Sequence, residues 1–154
     1  MDIELSIVSE EELKTVWEMQ RIVFTDVDNK YRLNSRQAIS KEPFEKTLER
    51  FNHKKNTFYF IKDDDVRVGA LQIAIDESKP KKQLYFLWVL PEYENKGYGQ
   101  KAIKALEDIY GSSNWQLFCF AEEKKNNYFY KKLGFQEVDR VKVNDYLTKI
   151  VYEK

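Results

Sequence analysis

The stretch Val89 to Ala102, VLPEYENKGYGQKA, is where residue types and spacing first suggest chemistry. An apolar run halts at Pro91, a short loop carries Gly97 and Gly99, and a helical pattern begins. The unpaired N–H groups of a first helical turn, added to the positive end of the helix dipole, suit an anion such as a pyrophosphate. Glycine there lets the ligand approach the backbone closely. Gly97, Gly99 and Ala102 also satisfy a GxGxxG/A dinucleotide fingerprint, with Glu122 as its ribose-binding acid. In that fingerprint the first glycine follows its strand almost directly, whereas six residues separate Leu90 from Gly97. No GxxxxGK[ST] occurs, which excludes a Walker loop. Two other reactive residue types read as structural. His53, beside Lys54 and Lys55, suits a solvated helix end, and Cys119 suits a small buried hydrophobe. No spacing of His, Cys and carboxylates suggests a metal site.

The elements that must position this loop belong to a chain of 154 residues, enough for one substantial core and too short for two. One domain, 1–154, is expected. Lys and Arg number 26 against 26 Asp and Glu, so no net field gathers nucleic acid or an acidic membrane. The clusters Asp63 to Asp65, Lys79 to Lys82 and Lys131 with Lys132 read as solvated turns and helix faces. A single cysteine suits a reducing compartment. Two acids within Met1 to Leu5 are the wrong sign for a leader, and no apolar run approaches the roughly 18 residues of a membrane helix. A cytoplasmic protein is expected. Aromatic residues make up 15% of the chain, which fits a ring-rich core or an apolar ligand channel equally well.

Ile3, Leu5 and Ile7 alternate as a strand, and Ser9 with Glu12 forms a capping box opening a helix with Leu13, Val16, Trp17 and Phe24 on its apolar face. The pattern weakens from Thr25 to Lys41, predicting irregular structure, until Pro43 starts a helix carrying Phe44, Leu48 and Phe51. Thr57 to Lys62 and Val66 to Ile75 flank Asp63 to Asp65 as a hairpin. Leu84 to Leu90 is apolar on both faces and reads as a central buried strand. Thereafter Gly97 to Tyr110 is helical, Trp115 to Phe120 a strand, Lys125 to Leu133 a helix stopped by Gly134, and strands follow.

Val89, Pro91, Glu92, Gly97 and Gly99 resemble the coenzyme-binding motif of the GCN5-related N-acetyltransferase (GNAT) family. Tyr130, Lys131, Lys132, Leu133, Gly134 and Phe135 resemble its second motif, a tyrosine, two residues and a Leu-Gly-Phe stop. The likeness is close over Leu84 to Phe135 and reaches the N-terminal third only in element order. It implies an α+β fold of α/β character, a mixed, mostly antiparallel sheet with splayed central strands and flanking helices. It also implies acetyl-CoA as co-substrate, backbone groups of Val89 and Leu90 on the pantetheine arm, and amides of Lys96, Gly97, Tyr98, Gly99 and Gln100 on the pyrophosphate. Tyr130 would stand beside the thioester sulfur. Glu94 replaces the usual Gln or Arg and is expected to point away or pair with Lys96 or Lys101. Glu123 replaces an Asn that touches the coenzyme, leaving Asn126 or Asn127 to supply that amide.

Acyl transfer to an amine needs a neutral nucleophile, a thioester held near it, and a proton for the departing thiolate. Positioning removes about 7 to 11 kcal/mol of barrier, while one general acid contributes roughly 100 to 10,000-fold. A phenol, ordinarily of pKa about 10, suits the acid, the role that the resemblance implies for Tyr130. Gln83 occupies the place of the glutamate base of some relatives, so Asp76, Glu77, Glu122 or a water chain stay open as the base. The acceptor, a small-molecule or peptide amine, would meet the segment Phe24 to Lys46 and the turn around Glu77, with Tyr31 and Arg32 as contacts. A homodimer is left open. The rival class is a non-catalytic acyl-CoA-binding module that keeps the cradle without the chemistry.

Overall fold

Strand β1 (Ile3–Ile7) forms where the apolar residues alternate, with Ile3 and Leu5 packed on the core and Ile7 exposed. The capping box then closes as expected, with Glu12 Oε1 accepting from Ser9 N at 3.0 Å and Ser9 Oγ at 2.9 Å. This opens a 3-10 turn, Glu10–Glu12, that runs on into helix α1 (Leu13–Lys30), whose Leu13, Val16 and Met19 are buried. The computed structural model describes residues 2–34 and 38–154. Thr25 to Lys30 does not become irregular; it continues α1. Thr, Val, Asp and Asn are weak helix formers, but tertiary contacts override that preference. Phe24 packs edge-on against Phe86 and Trp88, 5.9 and 5.8 Å between centroids, and buried Asp28 accepts from Ser40 N at 2.7 Å.

Pro43 caps α2 (Phe44–Asn52), and the Asp-rich turn joins β2 (Asn56–Asp63) to β3 (Val66–Ala74). The chain continues through β4 (Lys82–Val89), α3 (Tyr98–Tyr110), β5 (Trp115–Phe120), α4 (Lys124–Lys132), β6 (Gln136–Asn144) and β7 (Leu147–Glu153). Among the described residues, seven strands form one sheet in the order β1-β2-β3-β4-β5-β7-β6, antiparallel except between β4 and β5. The mixed, mostly antiparallel sheet is the one expected.

Alternation along the strands builds a core on each face. Tyr59, Ile61, Leu71 and Ile73 pack with Ala102, Ile103 and Leu106 of α3, joined by Phe129 and Tyr130 of α4. Phe58, Phe60, Ala70 and Trp88 pack with α1 and α2 on the other face. Burying any one of these large side chains is worth about 1.5 to 3 kcal/mol.

The parallel ladder between β4 and β5 is short. Lys82 pairs with Trp115 and Gln83 with Gln116, and no further pairs form as β4 runs on to Val89. Beyond Gln116, β5 pairs only with β7, so the two central strands splay as expected. This opening explains why β4 is less covered than its composition suggests. Leu84 and Trp88 are buried, but Tyr85 is 41% exposed. A register shift in the β3 ladder falls at Tyr85, between the Ile73–Leu84 and Gln72–Phe86 pairs. Such a bulge bends a strand and re-aims its side chains. Leu87 and Val89 accordingly join the α3/α4 core while Phe86 and Leu90 join the other.

Candidate active site

At the open end of the seam, Leu90 has no backbone group to spare. Its N–H donates to Val68 O at 2.8 Å and its carbonyl accepts from Tyr93 N at 2.9 Å. Alternation along an antiparallel ladder then turns the N–H and C=O of Val89 and Leu87 toward the edge that β5 leaves uncovered. Of the two residues expected to meet a pantetheine arm, Val89 has backbone facing the seam and Leu90 does not.

The two loop glycines do different work. Gly97 caps α3 at φ 84°, a left-handed conformation, and a Cβ there would meet nothing within 4 Å. At Gly99 a Cβ would lie 3.2 Å from Phe129 Cζ, so its absence lets α3 and α4 close on each other. The first helical bond runs from Lys101 N to Gly97 O at 3.2 Å, leaving the N–H groups of Tyr98, Gly99 and Gln100 without a helical acceptor. Tyr98 contributes its backbone alone, because its buried side chain donates to Asp63 Oδ2 at 2.5 Å. That hydrogen bond, more than burial, raises its pKa. Lys96 and Gln100 are exposed, as is Glu94. Lys125 Nζ on α4 donates to Asn95 Oδ1 at 2.6 Å, joining the loop to the helix across from it.

Tyr130 sits on α4 between Phe129 and Phe135, with centroids 5.0 and 5.7 Å away. Burial raises its pKa, so the phenol stays protonated at neutral pH. Cys119 shares this surrounding, and burial pushes its thiol up to about 12. A thiol so held is inert as a nucleophile. Just below, buried Asn127 donates to the carbonyls of Phe120 and Glu123, both at 2.8 Å, and accepts from Tyr152. Asn126, one residue earlier, is exposed, so it alone of the two amides can reach a ligand. Glu123 accepts from Tyr31 Oη at 2.6 Å and Lys30 Nζ at 3.2 Å, tying α4 to the end of α1.

On the other face lies a cavity of about 550 Å³, lined by Gln72, Gln83, Tyr85 and Phe86 of the sheet together with Glu42 and Arg50. Arg50 is its keystone. It donates to Glu42 at 2.8 Å, to Gln20 at 3.2 Å and to Gln72, and its guanidinium lies 5.1 Å from the Phe86 ring centre. Gln83 Nε2 donates to Gln116 Oε1 at 2.8 Å, at the last paired step of the seam. Asp76 accepts from Ser78 and Lys55, and these bonds, that from Ser78 foremost, hold its carboxyl well below the usual range. Such a carboxylate is a poor base. Glu122 accepts from Thr148 N at 2.9 Å.

Tyr31 and Arg32 do not line this cavity. Tyr31 is 5% exposed with its hydroxyl on Glu123, and Arg32 donates to Tyr146 Oη at 3.0 Å. The segment before α2 reaches the cavity through Ile39 and Glu42 instead, and the turn after β3 through Asp76 and Lys79. His53 is exposed at the rim, its Nδ1 accepting from Lys55 N at 3.3 Å. Sequence reasoning missed Arg50, Lys79 and Lys81 as lining residues. The run Lys79 to Lys82 was the available signal, but a charged run looks the same on a free surface and on a cavity rim.

No group of three or more His, Cys, Asp or Glu among the described residues could hold a metal ion, and no helix there is long and apolar enough to cross a membrane. A profile of the acetyltransferase (GNAT) family matches residues 18–135. The protein YrkN of Bacillus subtilis is 32% identical over 93 residues, covering 59% of this chain and 50% of YrkN, so the match spans about half the length of that relative. The structure of YycN from Bacillus subtilis superposes with a TM-score of 0.76 at 24% identity, over 93% of this chain and 98% of that one. Spermidine N-acetyltransferase of Vibrio cholerae, solved with CoA and spermine, gives 0.74 at 16% identity, over 98% and 94% of the two chains.

Proposed function

The chain belongs to the acetyltransferase (GNAT) family, and from that premise we propose that it transfers an acetyl group from acetyl-CoA to an amine by direct attack. The observation that carries this reading is the parting of β4 from β5 after two paired steps, beside a helix start with unpaired N–H groups. The pyrophosphate rests on the amides of Gly97 to Gln100, with Lys96 and Asn126 at its margin, and the pantetheine arm bonds to Val89 along the seam. Coenzyme and amine then approach β4 from opposite faces, the thioester past Tyr130 and the amine through the cavity beside Gln83 and Tyr85.

The neutral amine attacks the thioester carbonyl, a C–N bond forms, the C–S bond breaks, and the ammonium proton leaves to water in the cavity. Tyr130 donates to the departing sulfur. Burial raises its pKa and keeps the phenol protonated, and the same apolar surrounding, which pushes the Cys119 thiol up, disfavours a free thiolate. Proton transfer from the phenol then spares the departing sulfur a buried negative charge.

Thermal shift with acetyl-CoA, CoA and NAD(P), followed by thiol release over an amine library, tests this reading. Acetyl-CoA stabilises the protein and dinucleotides do not; Tyr130→Phe slows release about a hundredfold while binding persists. Stabilisation by NAD(P) instead, or thiol release unchanged by Tyr130→Phe, would sink it.

A further inference from the structure

The charges around the cavity do not cancel. Arg50 is held by Glu42 at 2.8 Å and Lys55 by Asp76 at 2.9 Å, so two cations and two anions of the lining neutralise one another. Lys79 and Lys81 remain. The Lys79 ammonium has no side-chain partner among the described residues. Lys81 Nζ makes a loose ion pair with Glu153 Oε1 at 3.9 Å, while the other oxygen of that carboxylate accepts from Gln116 at 2.7 Å. Both lysines stand on the turn leading into β4, a few residues before Tyr85 and the open seam.

One unpaired ammonium, Lys79, and one loosely paired ammonium, Lys81, beside an aromatic wall repel a polycation and attract an anion, and a partly enclosed site is screened less by salt than an open surface. Building on the acetyl-transfer reading above, we propose that the amine acceptor carries an anionic group, a carboxylate or phosphate, which Lys79 and Lys81 bind while its amine reaches the seam beside Tyr85. The cavity volume suits a molecule of amino-acid to dipeptide size. A polyamine, by contrast, would meet a surplus of like charge.

The test is a panel of amino acids, dipeptides and amino-sugar phosphates, their carboxyl methyl esters or dephosphorylated forms, and spermidine. Each is assayed for thiol release with acetyl-CoA and for binding by calorimetry with CoA present. Anionic amines are expected to exceed their neutralised forms and spermidine by about tenfold in kcat/KM, the scale of one charge-assisted hydrogen bond. The carboxylate and phosphate arms distinguish the two sources of charge. In the Lys79→Ala/Lys81→Ala variant the preference collapses through KM, with kcat little changed. Spermidine or the neutralised amines reacting as well, or a preference that survives in the double variant, would overturn the proposal. So would failure of every anionic amine to bind. If acetyl-CoA itself does not bind, the acetyl-transfer reading falls, while amine binding still reports the charge preference of the cavity.

Discussion

The two sides of β4 are built from different materials. Toward α3 and α4 the features are main-chain: Gly97 in a left-handed cap, three unpaired N–H groups and the uncovered edge of Val89. Toward α2 they are side-chain: Arg50 bridging Glu42, Gln20 and Gln72, and Lys55 on Asp76. A main-chain site depends on local geometry and tolerates varied side chains around it. A side-chain site depends on each of its charges, which makes it easy to retune and easy to break.

Arg50→Leu gives the largest expected effect. It takes the cation from the Glu42 carboxylate, which keeps only the Gln20 amide at 2.7 Å, and the donor from Gln72, so urea unfolding should show a loss of about 3 kcal/mol. Acetyl-CoA affinity of the folded variant should stay within about twofold, because nothing on the other face has moved. A parallel loss of coenzyme affinity would break the comparison.

Next in size is the contrast between the glycines. Gly97→Ala forces a side chain into the left-handed region at a cost of about 1 kcal/mol, seen as weaker acetyl-CoA binding by calorimetry. Gly99→Ala presses only on the edge of Phe129, which can yield a few tenths of an ångström. It should slow turnover by displacing neighbouring Tyr130 more than it weakens binding. Equal effects on binding would show that both glycines serve the ligand.

The smallest effect is acid sensitivity on the side-chain face. Asp76 has its folded pKa depressed by Ser78 and Lys55, so its stabilisation is complete above the unfolded value and fades as pH falls through the folded one. The stability difference between the natural protein and Asp76→Asn, followed by thermal unfolding, should hold level down to about pH 4 and shrink below it. A difference independent of pH would remove the charge argument.

The main-chain side was largely legible from sequence. Glycine spacing, the Pro91 stop and the Tyr130 to Phe135 pattern are local signals, and their geometry follows from a few consecutive residues. What sequence did not convey was which backbone groups are free: Leu90 is spent on Val68, a partner 22 positions away by subtraction of the residue numbers. The side-chain face was opaque for the same reason, since Arg50 meets Gln72 and Gln20 across long stretches of chain. The extension of α1 to Lys30 was hidden because its weakly helical residues are held by distant partners, Asp28 by Ser40 N and Lys30 by Glu123, which no local window contains.

Asn127 has a further consequence. Three residues of α-helix are a stiff rod, so whatever seats Asn127 against β5 and β7 also sets where the Tyr130 hydroxyl comes to rest. An error of about one ångström at a reacting group can cost a hundredfold in rate. On the proposed mechanism, the mechanical tolerance of the reaction is thus inherited from an amide buried beneath the site.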